Sequence, residues 1–227
     1  MTDGKYDALF IDFYGTLVTG DRVAVEQTCR RVVEDHGLNM TAADLAVVWG
    51  KAFFAAIDNC DVDGFRTLFD CECETLVDTV RPLAGPIDPR PYALMLKAYW
   101  QDPPPVPDAA EALRRIGLPV CVVSNADTED ILLAIERRKL PVDHVITSED
   151  ARSYKPDAVI FEKALEAMGV ARDRVIHAGD SLHSDVGGAR AVGLTTCWVC
   201  YEDRILDVGT ALPDHKVSSL MQLRDLV

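Results

Sequence analysis

A chain of 227 residues can hold one generous domain, or a core with a smaller inserted unit, and either buries enough apolar interior to fold alone. With 48% hydrophobic and 26% charged residues, and no apolar run near the roughly 18 needed to cross a bilayer, it reads as a soluble globular protein. A formal net charge of -14 repels polyanions and anionic lipid, so nucleic-acid and membrane partners are set aside. A small anionic substrate stays open, because a lysine, helix N-termini or a bound cation can make one site positive.

The chain starts polar, from Met1 to Lys5, and shows no signal peptide, which makes the cytoplasm the default expectation; separately, a monomer or homodimer is expected. Tyr6–Ile11 is an apolar strand delivering Asp12 to its C-terminal edge, followed by Gly15-Thr16. From Val23 to about Trp100 the pattern is helical, with apolar residues around Trp49, Phe53, Phe54 and Ile57 at three- and four-residue spacing. Four prolines among Pro103–Pro107 then give a stiff extended return. Beyond them, strands at 120–123, 142–146, 175–178 and 195–200 alternate with helices at 108–116, 128–139, 158–168 and 185–192, which implies βαβ units and a buried parallel sheet. The expected fold is therefore α/β, with a core of residues 1–18 and 104–227 and an all-helical insertion over 19–103. The seven cysteines read as reduced thiols. Cys197 and Cys200 stand three apart on a strand and face opposite sides, so they cannot share a zinc.

Polar residues at the C-terminal ends of parallel strands converge on one crevice. Here they are Asp12 with Thr16, Ser124 with Asn125, Lys155, and Asp180 with Asp185. A carboxylate at the end of the first strand can attack an electrophile in line and form a covalent intermediate. Three carboxylates in one crevice repel one another unless a cation is present, and Mg2+ suits carboxylate oxygens. The Ser124 hydroxyl, nearby amides and the Lys155 charge form an anion cradle.

This ordered set, Asp12-Phe-Tyr-Gly-Thr16-Leu, Val-Ser124-Asn125, Tyr-Lys155-Pro156-Asp157 and Gly-Asp180-Ser-Leu-His-Ser-Asp185, resembles the haloacid dehalogenase superfamily over the whole core. The resemblance implies a Rossmann-like core whose helical insertion is a type-one cap. It implies a Mg2+-dependent phosphatase acting on a small phosphorylated metabolite, with Asp12 as the nucleophile and Asp12, Asp180, Asp185 and the Tyr14 backbone carbonyl holding the metal. Ser124 and Lys155 would then bind the phosphoryl group, Asn125 would orient it or a water, and Thr16 would position the nucleophile.

Position 14 departs from that pattern, because phosphatases of the superfamily carry there an aspartate that protonates the leaving alcohol. Loss of such acid–base help costs about 10²- to 10⁴-fold. Tyr14 instead makes the first motif similar to that of L-2-haloacid dehalogenases, whose aspartate displaces halide from carbon without acid or metal. Against that alternative, those enzymes lack the Asp180/Asp185 pair, and their halide-binding arginine would fall at Gly50, after Trp49. Phosphonatase-like chemistry would use a lysine of the insertion, for which Lys51 is the candidate. A non-catalytic binding protein is the remaining class, and His183 is the nearest substitute acid by motif. Specificity is expected from insertion residues such as Phe53, Phe54, Lys51, Arg66 or Trp100.

Overall fold

A computed structural model describes residues 5–60, 63–201 and 211–227; the polar start Met1–Gly4 lies outside them. Six parallel strands form one sheet: β1 (Ala8–Ile11), β2 (Val120–Ser124), β3 (His144–Thr147), β4 (Val175–Gly179), β5 (Thr195–Val199) and β6 (His215–Val217). Their order is β3-β2-β1-β4-β5-β6, so β1 is central and successive strands are added first on one side of it, then on the other. Leu9 stands opposite Val120, and Ala8 opposite Val175. This is the Rossmann-like α/β arrangement, and the crevice between β1 and β4 lies where the strand order reverses.

All four residues of β1 are fully buried, as a strand covered on both faces requires. Side-chain alternation sends Leu9 and Ile11 into a layer with α5 (Ala109–Ile116) and α6 (Thr128–Arg138). Ala8 and Phe10 point the other way, into a layer built with α8 (Ala158–Met168). Between these layers' strands, the short α7 (Ser148–Ala151) follows β3 directly, started by a capping box between Thr147 and Asp150.

The inserted stretch forms α1 (Asp21–His36), α2 (Ala42–Asp58), α3 (Leu68–Ala84) and α4 (Arg90–Trp100). Cys29, Leu45, Trp49, Leu76 and Tyr92 make a separate apolar cluster there. The two connections to the sheet run side by side: the Thr19 amide donates to the Pro104 carbonyl at 2.9 Å, and the Val106 amide to that of Leu17 at 3.0 Å. No helix among the described residues is long and apolar enough to cross a membrane.

Two local features differ from the sequence reading. The helix expected at 185–192 begins earlier, as a wide π-helical turn over Leu182–Gly187 that continues as α9 (Gly188–Ala191). β6 was not anticipated, because its three residues His215, Lys216 and Val217 are too few to show a period. Cys197 is buried and Cys200 half-buried, and all seven cysteines are free.

Candidate active site

The site begins where β1 ends. The Asp12 amide still donates to the Ala178 carbonyl at 2.9 Å, so this residue is held in sheet geometry. The chain then folds back through Gly15, at φ +90°, a conformation glycine adopts without a Cβ clash. The Leu17 amide reaches the Phe13 carbonyl at 2.9 Å, and the turn returns the Thr16 hydroxyl to Asp12 Oδ2 at 3.1 Å. The same hydroxyl lies 3.1 Å from Asp180 Oδ1. One hydroxyl proton cannot be given to both, so the two carboxylates compete for it.

Asp12 Oδ1 faces the other side of the crevice, where it accepts from Ser124 Oγ at 3.1 Å and from Lys155 Nζ at 2.7 Å. Lys155 also donates to Asp185 Oδ1 at 2.5 Å, so the buried ammonium bridges two carboxylates. Asp185 is fixed further by His177 Nε2 at 3.1 Å and by the Ser181 amide at 3.0 Å, a bond made possible by the wide turn at 182–187. His177 was missed in the sequence because it lies inside an apolar strand, and its alternation with Ile176 and Ala178 was the available signal. Its Nδ1 is buried without a partner, which makes Nε2 the protonated nitrogen that donates to Asp185.

Burial raises the Asp12 carboxyl above its ordinary range; the Lys155 charge opposes this and the Asp185 charge adds to it. For Asp185, burial is outweighed by Lys155 and His177, and the group is held well below the usual carboxylate range. Desolvation likewise works against the Lys155 ammonium, but Asp12 and Asp185 more than compensate.

The remaining residues singled out in the sequence fall in different places. The Asn125 side chain spans the Lys155 backbone, with Nδ2 donating to the Lys155 carbonyl at 3.1 Å and Oδ1 accepting from its amide at 2.7 Å. It therefore positions Lys155, whereas the sequence reading had it orienting substrate or water. Lys155 itself is spent on carboxylates where a free cationic cradle was expected. Tyr14 is half-buried, its hydroxyl donating to the Trp100 carbonyl at 2.7 Å. Burial, followed by Asp130, Tyr99, Asp127 and Asp12, pushes that phenol well above its ordinary range. Lys51 is exposed on α2 and makes no described bond to the Asp12 cluster. His183 stands at the surface, 3.4 Å from Asp58 of α2. Trp49 is buried inside the insertion with its indole on Thr75 at 2.9 Å, which removes it as a guide to a halide-binding position.

One carboxylate oxygen from each of Asp12, Asp180 and Asp185 lies within 4.8 Å of the others. With only Lys155 bridging two of them, this oxygen set suits a hard divalent cation such as Mg2+.

A family model described as haloacid dehalogenase-like hydrolase matches residues 6–193. The chain is 29% identical to an (S)-2-haloacid dehalogenase of Pseudomonas sp. (strain YL), over 95% of this chain and 91% of that protein. It is 34% identical to the pyrimidine 5'-nucleotidase YjjG of Escherichia coli (strain K12), over 98% of each. Among solved structures, the L-2-haloacid dehalogenase from Xanthobacter autotrophicus superposes with a TM-score of 0.79 at 21% identity, covering 97% of this chain and 98% of that one. Haloacid dehalogenases recur in both comparisons and phosphatases are fewer, which corrects the phosphatase expected from the sequence. That expectation weighted the acidic pair too heavily: Asp185 is neutralised by Lys155 and accepts a hydrogen bond from His177, and Asp180 is partly open to water. The chain belongs to the haloacid dehalogenase-like hydrolases.

Proposed function

We propose that this hydrolase displaces halide from C2 of a small 2-haloacid, with the Asp12 carboxylate as nucleophile. One observation carries the reading. Tyr14, at the position where a leaving alkoxide would need an acid, has its hydroxyl committed to the Trp100 carbonyl and its phenol pushed well above the ordinary range. A halide leaves with its bonding electron pair and needs no proton, so a site without an acid suits it.

Asp12 Oδ1 already carries two donors, which leaves Oδ2, with its single hydroxyl contact to Thr16, as the attacking oxygen. A new C–O bond forms as the C–halogen bond breaks, giving an ester at Asp12 and free halide. Water then adds to the Asp12 carboxyl carbon; the ester C–O bond breaks, the aspartate is regenerated, and a 2-hydroxyacid and one proton are released. Ser124 and Lys155 provide the donors that fix Asp12 for attack. We assign Asp12, Asp180 and Asp185 as the residues able to hold Mg2+, which when bound would supply positive charge beside the substrate carboxylate.

The test is halide release from each enantiomer of 2-chloropropionate and of 2-bromopropionate, with Mg2+ and with chelator, alongside Asp12→Asn. Release lost in the variant is expected. In a single turnover in ¹⁸O-water, label should enter the peptide carrying Asp12. The absence of halide release from every 2-haloacid tried would sink the proposal.

A further inference from the structure

Asp12 is only 5% exposed, and the loops beside it are bonded to the helical insertion. The question is what holds the insertion down. Asp127 stands at the start of α6, yet its side chain makes no capping bond to that helix. Both carboxylate oxygens are used on the insertion instead: the Leu68 amide donates to Oδ1 at 2.7 Å and the Phe69 amide to Oδ2 at 3.1 Å. These are the first two amides of α3, which a helix cannot satisfy internally; the third, from Asp70, goes to the helix's own cap, Thr67. A carboxylate from the sheet side thus completes the N-terminus of a helix in the insertion.

Immediately before α3 the same strand of chain is gripped a second time. The Tyr154 hydroxyl donates to the Arg66 carbonyl at 2.8 Å, and its ring stacks on Phe65 with centroids 5.2 Å apart. Both gripping residues belong to loops that carry the site. Asp127 follows Ser124 and Asn125, Tyr154 precedes Lys155, and the Asn125 side chain ties these loops together through the Lys155 backbone.

We propose that Phe65–Phe69 is a strap that the Ser124 and Lys155 loops hold jointly, so that freeing either grip releases the whole strap and opens the crevice. The two contacts then act as one unit, because the loops behind them are a single bonded assembly. Shutting the insertion and setting the donors around Asp12 become the same event.

A native reporter lies under the strap. Cys71 is fully buried in a cluster with Tyr154, against which Phe65 and Leu68 pack, while Cys29 is buried in the insertion's own cluster and Cys121 in the sheet layer with α8. The experiment compares Asp127→Ala and Tyr154→Phe with the parent chain by thiol labelling, read by peptide mass, and by amide hydrogen exchange. Labelling of Cys71 and exchange at Leu68 and Phe69 should rise at least about tenfold in each variant, with Cys29 and Cys121 unchanged. Tyr154→Phe removes one hydroxyl that touches residue 66 and the Cys71 thiol, so in that variant faster exchange at 68 and 69, rather than Cys71 labelling, is the mark of a joint strap. The proposal is overturned if each variant loosens only the residue it touches, if Cys71 labelling does not move, or if all three thiols speed up together, which means global unfolding. None of these readouts depends on the reaction assigned above.

Discussion

Glu72 offers a quantitative check on the joint between insertion and sheet. It lies on α3, 3% exposed, with Oε1 accepting from the Trp100 indole at 2.7 Å. Burial raises its carboxyl from 4.5 to about 8; Asp127 and Asp130 add to the rise, and Trp100 and Lys97 oppose it. Because the folded value exceeds the unfolded one, the folded state binds more protons between them, and stability falls as pH rises through that window. The window runs from 4.5 to about 8, and each pH unit is worth about 1.4 kcal/mol. At pH 7 the penalty is therefore about 3 kcal/mol, growing to about 5 kcal/mol above pH 8, as an upper bound. Glu72→Gln keeps an acceptor for Trp100 and removes the ionisation. The variant should match the parent near pH 4.5 and exceed it by an amount that climbs with pH to a plateau beyond pH 8. Urea unfolding at pH 5, 7 and 9 measures this directly. A stability difference that stays flat across those three values would refute the reasoning.

Three further substitutions probe the site. Lys155→Met leaves the buried Asp12 and Asp185 carboxylates facing each other and should cost about 3–5 kcal/mol in urea unfolding, with loss of halide release. Gly179→Ala places a methyl group against the Asp185 carboxyl; a drop of about 1–3 kcal/mol is expected, and an unchanged melting temperature would mean the wide turn is free to shift. Asn125→Ala strips both polar partners from the Lys155 backbone and should cost about 1–3 kcal/mol by denaturant titration, with turnover falling more than substrate affinity.

The sheet was legible in the sequence because a strand buried on both faces has to be a short apolar run, and β1, β2 and β4 are such runs closed by polar residues. The same punctuation marked Asp12, Ser124 and Asp180. What the pattern could not carry was the partner of each charge. Lys155 looked like a cation waiting for an anionic substrate, yet its Nζ lies between Asp12 and Asp185. Asn125 looked like a substrate contact, yet it holds backbone. Such pairings depend on side-chain directions across residues 30 or 143 apart in sequence, to which no local period is sensitive. His177 and Asp127 went unnoticed for related reasons: one is hidden in an apolar strand, and the other resembles an ordinary helix-start aspartate.

The distribution of charge around Asp12 leads to one more expectation. Its Oδ1 side is closed by Lys155 and Ser124, while its Oδ2 side shares a single Thr16 proton with Asp180. The attack proposed above therefore uses Oδ2, and Asp180 is the group whose charge a cation would offset. Asp180→Asn removes the competition for the Thr16 proton while its amide oxygen still accepts. Without divalent cations the variant should be more stable than the parent, and Mg2+, which should raise the parent's melting temperature, should leave the variant's unchanged. Halide release in chelator should persist, because the displacement relies on Asp12, Lys155 and Ser124. Loss of that release in Asp180→Asn would mean that Asp180 takes part in the reaction itself, and that the Oδ2 face is organised around a cation after all.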